Sequence, residues 1–165
     1  MSVARKKRCV NLSVNQFSLH PIMVSLSEKD LEWVLSALQK DASGYERHMR
    51  FSKGLSAITA ITVDEEYIGR SKGHYIPSHV EWVLGFSIPI IHLHIPRSDK
   101  YCVVDATAIF LHEVGHHIRR RQRVEEAENF LEELMAWRYA ENAWNNHISH
   151  PFPKSLVKES IHTYL

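Results

Sequence analysis

Leu111-His112-Glu113-Val114-Gly115-His116-His117 concentrates the residues in this chain that can do chemistry. His112 and His116 stand four apart, with Glu113 directly after the first. On an α-helix four residues span about 400° of turn and about 6 Å of rise, so both imidazoles share one face. Two imidazoles so placed can bind one divalent ion such as Zn²⁺, and the adjacent carboxylate can reach a water on that ion. With 12 histidines in 165 residues a chance pair is easier than usual, but Glu113 and the apolar run 106–111 set this one apart. The chemistry implied is metal-assisted hydrolysis.

The elements around the motif must put it on a helix and bring a third ligand. Asp105 is the expected N-cap. Arg119, Arg120, Arg121 and Arg123 suit a C-terminus, where positive charge meets the helix dipole. Catalytic zinc takes three protein ligands and a water, so another side chain is required. Segment 124–146 reads as a second long helix, with Phe130, Leu134, Trp137 and Ala140 at helical spacing as its inward face. A short turn near residues 122–125 makes the two helices antiparallel and returns the second past the metal. Glu132 and Glu133 both lie on it, and His147, His150 and His162 are further candidates.

Glu133 stands three residues before Ala136. The pattern His-Glu-x-x-His followed by Glu-x-x-Ala resembles the gluzincin branch of the zincin metallopeptidases. The resemblance implies Zn²⁺ held by His112, His116 and Glu133, with Glu113 as general base, and Glu132 as ligand if the register slips by one. Such members carry an aspartate four residues after the ligand glutamate, to orient the first histidine; here that residue is Trp137, so the partner of His112 is not identified. The metzincin pattern needs a Gly and a further His where this chain has Arg119 and Gln122. Over residues 109–140 the chain is also similar to small metallopeptidases of the ImmA/IrrE type, which cleave repressors, although no helix-turn-helix segment is visible.

The activity implied is hydrolysis of peptide bonds in a peptide or protein substrate. Bound zinc would lower the pKa of its water to about 7 and polarise the scissile carbonyl. Glu113 would take the water's proton and pass it to the leaving amine. His117, Tyr139 and His150 are candidate donors to the oxyanion. The rival reading is a catalytically inactive zincin-fold binding module or regulatory protein; Glu113 argues against it, since a structural metal needs no base.

The rest of the chain reads as a scaffold. Alternation predicts a strand at 10–14, and Ser27-Glu28-Lys29-Asp30 resembles a capping box opening a helix over 28–40. Residues 55–63 read as a strand, 64–77 as a loop or irregular hairpin, and 80–86 and 88–95 as two more strands. Pro89 cannot donate to a ladder, which predicts that 88–95 is an edge or bulged strand. Ile91, Leu93 and Ile95 should face the core and His92 and His94 the other side, leaving this strand to pair with an extended peptide. His150-Pro151-Phe152-Pro153 is a rigid turn before a final helix over 154–165. Helix, strands, then helices make a single α+β zincin-like domain over 1–165, with a small mixed sheet, an active-site helix and a following third-ligand helix.

Bulk properties narrow the setting. Hydrophobic content of 44%, charged content of 24% and a net charge of +1 fit a globular protein with no general pull toward nucleic acid or membrane. Cys9 and Cys102 form no CxxC, and the basic cluster Arg5-Lys6-Lys7-Arg8 precedes no continuous apolar stretch. The expectation is a cytoplasmic protein, with the arginine-rich helix end solvated rather than bound to a polynucleotide.

Overall fold

Ser27 opens the first helix. Its Oγ accepts the Asp30 N–H at 3.2 Å and donates to the Asp30 carboxylate at 2.7 Å, and α1 (Glu28–Gln39) follows. The computed structural model of the chain describes residues 26–39, 47–64, 72–81, 86–96, 102–121 and 129–164. The expected strand at 10–14 and the turn at 122–125 lie outside the described residues. Asp30 does more than close a cap. It also accepts Ser52 Oγ at 2.6 Å and Arg50 Nε at 3.0 Å, both from β1 (Arg47–Ser52), and so ties α1 to the sheet.

Three further strands complete the sheet: β2 (Ala57–Asp64), β3 (Lys72–Glu81) and β4 (Phe86–Pro96). The order is β1-β2-β4-β3, with β2 and β4 parallel and the outer pairs antiparallel. Two expectations are corrected here. Residues 72–77 are strand rather than loop, and β4 is flanked on both sides rather than lying at an edge. Pro89 is tolerated because neither neighbour needs its missing N–H. The β2 ladder begins only at Ile58 opposite Ile90, and the β3 register breaks between Ile76 and His79, opposite Pro89. Residues 77 and 78 stand opposite Pro89 in the register, so the proline falls where the ladder is already interrupted.

The helices cover one face of the sheet. Ala57, Ile61, Ile91, Leu93 and Ile95 are buried against Leu31, Val34, Leu35 and Leu38 of α1 and against α2 (Val103–Arg121), whose Phe110, Leu111 and Val114 are fully buried. The inward set on β4 is the expected one, and His92 and His94 lie on the opposite face, where His92 Nε2 meets Thr62 Oγ1 at 2.8 Å. Asp105 lies inside the first turn of α2 rather than at its cap, and Ala106 N–H bonds Cys102 C=O at 3.0 Å. A negative side chain there still suits the helix dipole.

The chain closes with α3 (Asn129–His147) and α4 (Lys154–His162). The helix α3 continues one residue beyond the expected end at Asn146. Its buried stripe is Ala136, Trp137, Ala140, Ala143 and Trp144, whereas Phe130 and Leu134 are exposed, against expectation. Among the described residues the architecture is a small mixed α+β domain of four helices and a four-stranded mixed sheet, and no helix is long and apolar enough to cross a membrane.

Candidate metal centre

The site is made by two helices packed at close range. Gly115 is what permits the approach: a Cβ there would lie 2.8 Å from the Ala136 carbonyl oxygen and 3.0 Å from its Cα. Contacts climb α2 as they descend α3, so the two run antiparallel. Arg119 meets Glu132, His116 meets Glu133, and His112 meets Trp137.

Arg119 fixes the register. Its Nε lies 3.0 and 2.9 Å from the two Glu132 oxygens, and its Nη2 lies 2.9 Å from one of them. This forked ion pair occupies Glu132 and turns Glu133 toward the histidines. His116 Nδ1 lies 3.5 Å from Glu132, a lesser contact.

His112, His116 and Glu133 form a group able to hold a metal ion. His112 Nε2 and His116 Nε2 are 3.1 Å apart; Glu133 Oε2 is 3.0 Å from the first and Oε1 is 3.2 Å from the second. A four-coordinate ion with nitrogen and oxygen ligands at about 2.0–2.1 Å spaces neighbouring ligand atoms about 3.3 Å apart. The three side chains therefore fit such an ion with little rearrangement. His147, His150 and His162 are not part of the group.

The electrostatics agree. Burial lowers the His112 pKa, which leaves a neutral imidazole with a lone pair to donate. Burial alone would raise Glu133, but hydrogen bonds and Coulombic attraction from His112 and His116 outweigh it and hold the carboxylate well below its usual range. Those same contacts with Glu133 raise His116, against the effect of its burial. An anion between two imidazoles is a ready ligand set.

Glu113 is 7% exposed and lies beside this group without joining it. Burial, the dominant cause, pushes its carboxyl up to about 7, and a hydrogen bond from the Tyr75 backbone of β3 pulls the other way. β3 crosses so near that only glycine fits at position 73, where a Cβ would lie 2.5 Å from Glu113 Cγ.

Trp137 fills the position of the expected aspartate, and its ring stacks on His112 at 4.2 Å between centroids with 24° between planes. One residue near the site lies outside every motif, Tyr164. Burial, and the fields of Glu133 and Glu113 beside it, raise its pKa. Nothing in local spacing could reveal it, because α4 carries it back to the site.

Two of the three candidate oxyanion donors, His117 and His150, have other partners. His117 is fully buried, and its ring nitrogens meet Leu55 C=O at 2.6 Å and Tyr75 Oη at 3.1 Å, which pins α2 to the sheet. Burial raises Tyr139 to about 12, and its Cβ lies against Gly115. His150 lies between α3 and α4, its Nδ1 2.9 Å from Pro151 C=O.

No protein-family profile, curated protein or solved structure matches this chain. The class is therefore defined by fold and site alone: a small mixed α+β domain with a two-histidine, one-carboxylate centre and a buried carboxyl beside it.

Proposed function

We propose that the chain is a zinc metallopeptidase of the zincin type, gluzincin-like in its ligand set. One observation carries the reading. His112, His116 and Glu133 converge within 3.0–3.2 Å of one another while Glu113, which joins none of these contacts, is buried at their side. Imidazole and carboxylate in near-tetrahedral spacing favour zinc among common divalent ions, and a purely structural centre has no use for a buried base.

In this reading the bound zinc would acidify a water and polarise the scissile carbonyl. Glu113 takes the proton of the attacking water and later delivers it to the departing amine nitrogen. Tyr164 supplies a phenolic O–H at the same site, and stabilising the developing oxyanion is the role its position supports.

Substrate binding moves from β4 to β3. Among the described strands β3 lies at the edge of the sheet, and its segment Gly73–Tyr75 adjoins Glu113. An extended peptide added along that edge would bring its backbone to the base. A peptide or protein substrate and a reducing, cytoplasmic setting complete the proposal.

Metal content decides it. Protein purified without added metal should carry near-stoichiometric zinc by elemental analysis; Glu133→Ala should lose it and Glu132→Ala should keep it. Peptide-library cleavage, with Glu113→Gln as the inactive control, then tests catalysis. A wild type that carries no metal and takes none up would leave the inactive binding module in its place.

A further inference from the structure

We infer that Trp137 is the positioning residue of His112, holding the imidazole by stacking where the resemblance to gluzincins leads one to expect a hydrogen-bonded carboxylate; the inference rests on the metal reading above. A ligand imidazole contacts its ion through one nitrogen and normally is oriented by a hydrogen bond at the other. Among the described residues His112 has no such bond. Its Nε2 faces Glu133 and His116, while Nδ1 is buried without a hydrogen-bond partner among the described residues. What fixes the plane of the ring is Trp137, 4.2 Å away and within 24° of parallel.

Trp137 is itself anchored. It is 4% exposed, its Nε1–H donates to Ser160 Oγ of α4 at 3.1 Å, and Phe152 meets its ring edge-on at 6.5 Å. Glu133 and Trp137 are four apart on α3, so one stripe of that helix supplies both the third ligand and the plane against which the first ligand rests. The path Ser160, Trp137, His112 connects α4 to the centre. A ring stacked on the imidazole face accepts no hydrogen bond from the in-plane Nδ1–H as a carboxylate would, so the imidazole is held in place without being made more basic.

The test uses the whole chain and two probes: Zn²⁺ affinity by chelator competition, and the visible spectrum of the Co²⁺-substituted protein. Trp137→Leu should weaken Zn²⁺ by about 10- to 100-fold, the usual range for losing an orienting partner, and should broaden and shift the Co²⁺ bands. Trp137→Phe keeps an aromatic face and should recover most of the affinity and the wild-type spectrum. Ser160→Ala keeps the indole and loses only its anchor, which Trp137→Phe loses as well, so it should weaken Zn²⁺ measurably but by no more than Trp137→Phe does. A folded Trp137→Leu with wild-type affinity and spectrum overturns the assignment; if that variant does not fold, an unchanged Ser160→Ala overturns it instead. A wild type that binds neither ion is a different failure, since it removes the metal reading and this assignment with it.

Discussion

Gly73 on β3 lies against Glu113 on α2: a Cβ built on the glycine would come within 2.5 Å of Glu113 Cγ, 2.7 Å of its Oε1 and 2.7 Å of Ile109 Cγ2. The edge strand and the base share one space, and glycine is what keeps it open. Gly73→Ala should therefore displace the Glu113 carboxylate while leaving His112, His116 and Glu133 in place. The expected result is a peptidase rate reduced at least tenfold with zinc content unchanged. Overpacking of this kind also costs about 1–3 kcal/mol of stability. Equal losses of metal and activity would mean that the strand supports the ligands rather than the base.

Glu113 should be a liability to the metal-free fold. Its pKa rises from 4.5 to about 7 on folding, chiefly through burial. A raised carboxyl stabilises fully below its unfolded pKa, and that contribution disappears as pH rises through the folded value. A shift of that size is worth on the order of 3 kcal/mol. Metal-free Glu113→Gln, which mimics the protonated acid, should be more stable than wild type above pH 7 and indistinguishable below 4.5. The same variant should keep zinc and lose about 10²–10⁴-fold in rate, as removal of a general base does. Denaturant melts of the chelated proteins across pH check the first half, and cleavage assays the second.

The parts of this protein that were readable from sequence are those set by local spacing. Two histidines four apart beside a glutamate need only a helix to converge, and Ala106 to Leu111 supplies one. The inward face of β4 follows from strict alternation at Ile91, Leu93 and Ile95. What misled was context that no short window contains. Pro89 fits an edge strand or a bulged one, and only the register of β3, with residues 77 and 78 opposite it, selects the second. Residues 47–52 carry no local signal of a strand, and in β1 Met49 and Phe51 are exposed while Arg50 and Ser52 bond the buried Asp30. Phe130 and Leu134 have helical spacing with Trp137, yet the turn they share is the one that carries Glu133 to the histidines, and they are left exposed. Tyr164 belongs to the site only through the return of α4.

Gly115 and Ala136 set the distance between α2 and α3, which carry His112, His116 and Glu133. Alanine at 115 would gain helix propensity of up to about 1 kcal/mol, but its Cβ would meet the backbone of Ala136, which cannot move as a side-chain end can. Gly115→Ala should force α3 outward and carry Glu133 and Trp137 with it. The expected outcome is a net destabilisation of about 1–3 kcal/mol together with weaker zinc binding. Calorimetry with and without chelator separates the two, since a purely structural fault would leave the affinity of the folded protein unchanged.

Asp30 offers a test far from the metal. Burial works to raise its pKa, but hydrogen bonds from Ser52, Ser27 and Arg50, with the Arg50 charge, more than offset this and hold it below 3.8. A carboxyl depressed on folding stabilises above its unfolded pKa and loses that contribution as pH falls through the folded value. Asp30→Asn keeps the shape but removes the charge, and at neutral pH should cost about 1–3 kcal/mol, the range for a charged acceptor lost from a buried network. The wild-type advantage should shrink as pH drops below 3.8, because the unfolded chain then takes up a proton that the folded carboxyl still resists, and should vanish once the folded carboxyl is protonated too. Urea denaturation of both proteins over that range measures the gap directly. A gap that stays constant through acid would mean that Asp30 acts by shape and capping alone, and that its charge does not hold α1 to the sheet.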